Sequence, residues 1–472
     1  MIKISTGRLD VTTDKILAND RLYAKVLLIA DEHKKACLIS LDCICLGGGI
    51  GTISDSFLPA LKQGLKAFDI DTVICGTTHT HTHEPMVCDE NEILNGLFTL
   101  IKDMQGRLVD AEVYYGKTHN NEFLVNRNIP QKDGKDWTIR LAHALPPEDN
   151  YDSLAEADDS IRALVFKGKD NAPLCVTFNF GCHPLLGFAN NKATSNFPGI
   201  AEKLIEKRTG ATAMMFQSTA GDVCEVDYKD YFTAKNCTAN GISLGSSVLD
   251  MLGDVQKICS DFAVAEESLT LPLRDDFLDR IKEIESEQLE ILSTFNGPLN
   301  FRNFLPLYLK YTMCPEYPLK DKFQYLKQEQ VGSTQLVDMD ERNKEHINSY
   351  LKNIESMERL TRLNAEKETL VWHKDRVEKL GKFQQTEVVG IRLGDVILVT
   401  APFEPLNAIG KMLYEKYGDK VMLIGYANGY AHYGATKDKY DSFAYETREC
   451  DLDISWINEY FRVVDSIVKK IK

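Results

Sequence analysis

The chain has 472 residues, and its 55 Lys and Arg against 70 Asp and Glu give a formal charge of −15. Apolar residues make up 43% and charged residues 26%, which excludes a disordered chain, a collagen and a small disulfide scaffold. The acidic balance argues against nucleic acid, or an anionic membrane held by bulk charge, as a partner, because both select a basic footprint.

The N-terminus, MIKISTGRLDVTTDK, has no basic segment followed by an apolar run, so no secretory signal is expected. No stretch nears the roughly 18 uninterrupted apolar residues of a membrane span. Of the 12 cysteines, Cys37, Cys75 and Cys175 lie inside apolar runs, and no CxxC pair exists. Scattered thiols of this kind point to a reducing, cytoplasmic setting. The CxC pair, Cys43 and Cys45, reads as core.

The first 265 residues alternate apolar runs with helix-like segments. Strands are expected at Ala24–Ala30, Ala36–Asp42, Thr72–Cys75, Glu112–Tyr115, Ile161–Phe166, Leu174–Phe180 and Ala213–Gln217. Many are rich in Val, Ile and Leu without clean alternation, which predicts burial on both faces. Ser195-Asn196-Phe197-Pro198-Gly199 opens a helix that Gly210 closes. From Asp275 to Leu380 the pattern becomes amphipathic helix, with stripes such as Ile347, Leu351, Ile354 and Met357. Between the stripes lies an aromatic stretch holding Phe301, Phe304, Tyr308 and Tyr311. This block reads as a helical insertion, residues 275–380, acting as scaffold or as a substrate lid. Strands then resume at Glu387–Leu393 and Val396–Thr400 around a Gly394-Asp395 hairpin, followed by a helix over 406–417 and a strand at Val421–Gly425. The expected fold is α/β: one domain over 1–472, a layered mixed sheet flanked by helices, with the insertion.

The strongest chemical signal is Cys75-Gly76-Thr77-Thr78-His79-Thr80-His81-Thr82-His83-Glu84-Pro85. In an extended chain, positions 79, 81 and 83 share one face, with neighbours about 7 Å apart. Neutral imidazole is the commonest metal ligand, and strand ends are where sites collect; the alternative is a polar strand end with solvated histidines. His183, in FNFGCHPLLGF, follows another apolar strand. Taken alone it is more often a satisfied, half-buried residue than a ligand, but two strand-end histidines can converge. Glu404, in VTAPFEP, is either a third ligand or an exposed loop carboxylate. Cys224, after the small residues Ser218-Thr219-Ala220-Gly221, is a nucleophile or a structural thiol, and cysteine statistics favour the second. No phosphate-binding glycine loop is evident, so no nucleotide cofactor is expected.

Taken together, these segments resemble the N-terminal catalytic domain of neutral/alkaline non-lysosomal ceramidases. The family's THTHSGP is similar to Thr78-His79-Thr80-His81-Thr82, followed by His83, Glu84 and Pro85. Its histidine strand end and S-A-D-F-P-G segment resemble Gly181-Cys182-His183-Pro184 and Ser195-Asn196-Phe197-Pro198-Gly199. G-D-V-S-P resembles Gly221-Asp222-Val223-Cys224-Glu225, and P-G-E resembles Pro402-Phe403-Glu404. N-x-Y-x-x-Y and R-Y-E resemble Asn428-Gly429-Tyr430-Ala431-His432-Tyr433 and Ala444-Tyr445-Glu446, and an N-R-S arginine resembles Arg127.

The resemblance implies a zinc site with His79, His183, Glu404 and Tyr433 as ligands. It places His81, Arg127 and Tyr445 among residues that hold the reacting amide or the lipid head. Cys224 stands where the family has its active-site serine. The implied activity is zinc-dependent hydrolysis of an N-acyl amide. The missing signal, the helical insertion and the absence of a counterpart to the family's C-terminal immunoglobulin-like domain turn the expectation toward a small or soluble acyl amide instead of ceramide. A thiol hydrolase using Cys224, or a metal-binding protein without turnover, are the other readings.

Overall fold

The Val-, Ile- and Leu-rich runs form strands covered on both faces. Tyr23–Ala30 and Lys35–Leu41 are buried at every residue but the first, and Thr72–Thr77 is buried throughout. These assignments come from a computed structural model describing residues 2–15, 17–70, 72–81, 89–134, 136–138, 150–229, 233–295, 297, 300–318, 322–442 and 444–472. The chain divides into two compact units, residues 1–274 with 376–472, and residues 275–375.

The first unit is α/β. Its main sheet has nine strands, eight of them on one path: Thr212–Gln217, Pro173–Phe180, Ser160–Lys167, Val109–His119, Ile2–Asp10, Tyr23–Ala30, Lys35–Leu41 and Thr72–Thr77. Pairing is parallel at both ends of this path and antiparallel between. A second sheet runs Phe262–Pro272, Phe383–Leu393, Val396–Thr400, Val421–Ile424. The two sheets share a core in which Ile4, Leu27, Leu38, Phe166 and Phe216 meet Val389, Ile391, Leu398 and Ile424.

Helices close the outer faces. Phe57–Leu65 and Glu90–Gln105 bury Leu61, Ile93 and Leu97 with Val26, Ile39 and Val73. Asn196–Thr209 and Thr238–Met251 bury Phe197, Ile205 and Leu244 with Val165, Val176 and Met215. Trp456–Ile471 lies on the second sheet, where the Tyr460 hydroxyl donates to Thr400 O at 3.1 Å. The resulting order is helix, sheet, sheet, helix, so strands of both sheets have covered faces and lose the alternation of a half-wet sheet.

Two long strands escape a reading by apolar runs. Ile2–Asp10 lies inside the main sheet and Phe262–Pro272 edges the second, yet polar residues interrupt both. Phe262–Pro272 pairs antiparallel along its full length with Phe383–Leu393, from Phe262 opposite Leu393 to Pro272 opposite Phe383. The chain therefore leaves this sheet and returns to it at neighbouring points. At the Gly394-Asp395 turn, Leu393 faces Val396, and Gly394 takes the left-handed φ of 58° that a tight hairpin needs.

The second unit is helical, with Phe277–Thr294, Phe301–Met313, Phe323–Gln330 and most of Gln335–Leu380. Tyr311 is buried and donates to Asp340 Oδ1 at 2.5 Å; Lys310 reaches the same oxygen at 3.1 Å. Phe304 stacks on Tyr350 with ring centres 4.1 Å apart.

Gly390 tests the contact between second sheet and helix. A Cβ at Gly390 would sit 2.2 Å from Cγ2 of Ile467, a fully buried residue. Gly390→Ala is expected to lower the unfolding free energy by about 1–3 kcal/mol, the usual cost of overpacking, read from the denaturant midpoint.

Candidate metal centre and active site

The site lies where strands stop. His79 follows Thr72–Thr77, His183 follows Pro173–Phe180 and Glu404 follows Val396–Thr400. Each of these strands has a parallel neighbour, so carboxyl ends gather on one side, the side where open α/β sheets keep their crevices.

The histidine run is not extended. The strand ends at Thr77, and His79 adopts a left-handed φ of 59°. His81 N then bonds to Pro184 O at 3.3 Å, and His81 folds back until its Nε2 lies 2.9 Å from that of His79. The evenly spaced face expected of an extended strand is replaced by a turn, and His83 lies outside the described residues. A left-handed histidine costs on the order of 1–3 kcal/mol and persists where its surroundings over-determine it. Here the imidazole is anchored through Nδ1 to Ile44 O at 2.6 Å.

His183 is held in the same way, its Nδ1 meeting Ala220 O and, at 3.2 Å, Val223 O. Carbonyl oxygens only accept, so Nδ1 carries the proton in both rings and each Nε2 presents a lone pair, that of His79 accepting from His81 Nε2 at 2.9 Å. The ring nitrogens of His79, His81 and His183 lie within 4.8 Å of one another. His183 Nε2 is buried without a hydrogen bond, although Glu404 Oε2 is 3.0 Å away, and His79 Nε2 is 3.6 Å from Glu404 Oε1. Lone pairs thus face a carboxylate, an arrangement that a cation relieves.

Titration directions agree with this. Burial is the main force pushing the His79 imidazole down, to about 4, and it lowers His183 as well. Burial alone would raise Glu404; positive charge at the facing His79 and His183, together with the Tyr430 hydroxyl, holds it well below the usual range, and with neutral rings that charge is what a bound cation supplies. Tyr430 donates to Oε1, and Tyr426 to Oε2 at 3.3 Å. Neutral nitrogens and an anionic oxygen, each steered by an outer partner, suit a divalent transition metal such as zinc.

Tyr433 pairs with Glu404 in a short parallel ladder, and its ring lies 6.5 Å from that of His183 with the two planes nearly parallel. Its hydroxyl accepts from Arg127 at 3.0 Å. Arg127, buried, also binds Glu446 Oε1 at 2.9 Å and Gly221 O at 2.5 Å, and lies 4.9 Å from the Tyr445 ring centre. Burial pulls the guanidinium down, yet Tyr433, Glu446 and Tyr445 together push it well above its ordinary value. Cys224 is fully buried, in a strand that pairs with Leu124–Asn126, and bridges to His183 through the backbone.

Three supporting residues do not announce themselves by spacing. Buried Gln217 donates to Thr78 O at 2.9 Å and to Cys182 O at 3.0 Å, tying the His79 loop to the His183 loop. Its signal is an amide ending the apolar strand Thr212–Gln217. Asn428 clasps Thr72–Thr77, accepting from Cys75 N at 3.0 Å and donating to Val73 O at 2.8 Å. Tyr426 carries no local signal.

No protein-family model matches the chain, and no curated protein matches it. In structure it is similar to the neutral ceramidase of Pseudomonas aeruginosa, with a TM-score of 0.60 and 14% identity over 98% of this chain and 73% of that one. It is equally similar to a ceramidase complexed with C2, with a TM-score of 0.60 and 13% identity over 98% and 74% of the two chains. The chain has the α/β fold of the neutral ceramidases, the family that its motifs resemble.

Gln217→Leu removes the donor to two buried carbonyls. Leaving buried acceptors unmade costs about 1–3 kcal/mol each, so the variant is expected to melt at a clearly lower temperature than the parent. An unchanged melting temperature would show that the two histidine loops are held by other contacts.

Proposed function

We propose that the chain is a zinc-dependent hydrolase that cleaves an N-acyl amide. The observation that supports this best is the pair of imidazole lone pairs, from His79 and His183, turned on the carboxylate of Glu404. The ceramidase likeness of the fold supports the amide reaction. His79, His183 and Glu404 would hold the metal, with Tyr433 beside them. Zinc, when bound, supplies a Lewis acid that polarises a carbonyl and lowers the pKa of water to about 7.

The other groups work on the substrate. Arg127 is fixed by Glu446 and Gly221, so its charge is aimed before substrate arrives. With Tyr445 it stabilises the negative charge that grows on the carbonyl oxygen during attack. His81 is partly exposed and presents Nε2 at the cluster, which suits it to pass a proton to the leaving nitrogen. The substrate is not restricted to ceramide, because Cys224 and Glu225 stand where the ceramidases carry serine and proline.

The reading makes two linked predictions. His183→Ala is expected to release the metal and abolish hydrolysis of N-acyl amides while circular dichroism is unchanged; elemental analysis of parent and variant reads the zinc. Cys224→Ser is expected to keep at least about a tenth of the parent rate, since the attacking water does not come from a thiol. Activity that survives chelation but is lost on alkylation, with a thioester trapped on Cys224, would transfer the reaction to the thiol.

A further inference from the structure

Glu225 is fully buried, although acidic side chains are rarely so unless they are paired. It ends the short strand Val223–Glu225, and the groups that answer it are backbone amides. Its Oε2 accepts from Leu185 N and from Leu186 N, both at 2.7 Å. Two successive N–H groups turned to one side make a small anion-binding concavity, and the carboxyl fills it. The other oxygen, Oε1, is buried without a hydrogen bond, a cost that the two amide bonds offset. Burial pushes the carboxyl up to about 8, but a neutral carboxyl still accepts through its carbonyl oxygen, so the clamp holds in either form.

The clamped amides lie just beyond His183. The histidine itself is tied to the segment that carries Glu225. His183 N donates to Val223 O at 2.9 Å, and its Nδ1 meets Ala220 O and, at 3.2 Å, Val223 O. These bonds set which way the ring faces. They do not fix the chain that leaves the histidine. Pro184 comes next and has no N–H to give, so the anchoring passes to the two amides after it. Leu185 N is shared with His183 O at 3.1 Å, which closes a tight turn, and Glu225 is the side chain that reaches past Pro184 to hold that turn. Pro184 O, on the same turn, accepts from Asn196 Nδ2 at 2.9 Å and from His81 N at 3.3 Å. A shift of the turn would therefore move His183 and the backbone of His81 together.

We propose that Glu225 is a positioning residue for His183: its carboxyl fixes the turn that leaves the histidine and so the place of Nε2 opposite Glu404. The proposal rests on the metal reading above and deepens it, giving a role to a side chain outside the ligand set.

The full chain is compared with variants at this position. Zinc affinity is measured by competition with a chelator of known affinity, coordination geometry by the visible absorption of bound cobalt, and stability by the melting temperature of the metal-free chain. Glu225→Met keeps length and apolar fit but offers no oxygen to the amides. It is expected to weaken zinc binding about tenfold or more, the usual cost of losing an outer partner, and to change the cobalt spectrum. Glu225→Gln keeps the accepting oxygen and is expected to bind zinc and cobalt as the parent does. A purely structural residue would lower the melting temperature and leave both metal readouts alone, and that result in Glu225→Met overturns the proposal. So does a Glu225→Gln chain that binds zinc as poorly as Glu225→Met. Should Glu225→Met not fold, Glu225→Asp is read in its place, because its shorter carboxyl falls one bond short of the amides; parent-like affinity there overturns the proposal as well. A parent chain that binds no zinc brings down the metal reading and this proposal with it, whereas a parent that binds zinc beside variants that bind it equally well brings down the positioning role alone.

Discussion

A buried carboxylate between neutral imidazoles is the constraint around which the site is arranged. Glu404 is 2% exposed, and taking a charge out of water costs several kcal/mol unless it is answered. Two phenols answer part of it, from Tyr426 and Tyr430. The nearby guanidinium of Arg127 is committed to Glu446, Gly221 and Tyr433. What is left is an anion facing two lone pairs, and a cation among them relieves each of those contacts. The outer partners follow from this. Ile44 O, Ala220 O and Val223 O fix which nitrogen faces inward, and Gln217 fixes how far apart the two loops stand.

The same loops hold strained backbone. His79, Tyr426, Asn428 and His432 all have left-handed φ values between 55° and 59°. None is glycine, so each costs on the order of 1–3 kcal/mol. Asn428 offsets its share by filling hydrogen-bonding positions of the strand Thr72–Thr77. Rigidity of this kind is what a preformed ligand set requires, because ligands that must be ordered on binding lose affinity to entropy.

Much of the scaffold was legible in the sequence for one physical reason. Strands covered on both faces, such as Tyr23–Ala30 and Pro173–Phe180, must be apolar nearly throughout, and such runs stand out. Ile2–Asp10 did not, since its outer half is only partly covered and mixes polar residues in. His79, His183 and Glu404 were legible as polar residues ending apolar strands. The left-handed turn at His79 was not, because nothing local makes a histidine adopt it; the bonds that enforce it come from Ile44 and Pro184, both remote in sequence. Arg127, Tyr433 and Tyr445 emerged through likeness to a family. Tyr426 pairs with Glu404 across 22 residues and leaves no trace in spacing.

The strand pair that flanks the helical unit has a consequence for how the chain reaches this fold. Pro272 and Phe383 are neighbours in the sheet, with more than a hundred residues between them. Zipping that ladder from an unstructured chain means closing a loop of this length, whose entropic cost grows with the logarithm of the loop. Helices form on local contacts and form fast, so a helical segment that orders early shortens the loop to a tether before the strands meet. The second sheet contributes about a third of the buried residues of the shared core, and Glu404 follows one of its strands. On this argument the order runs from the part of the chain with the most local contacts to the part with the fewest, and His79, His183 and Glu404 come together after the helices.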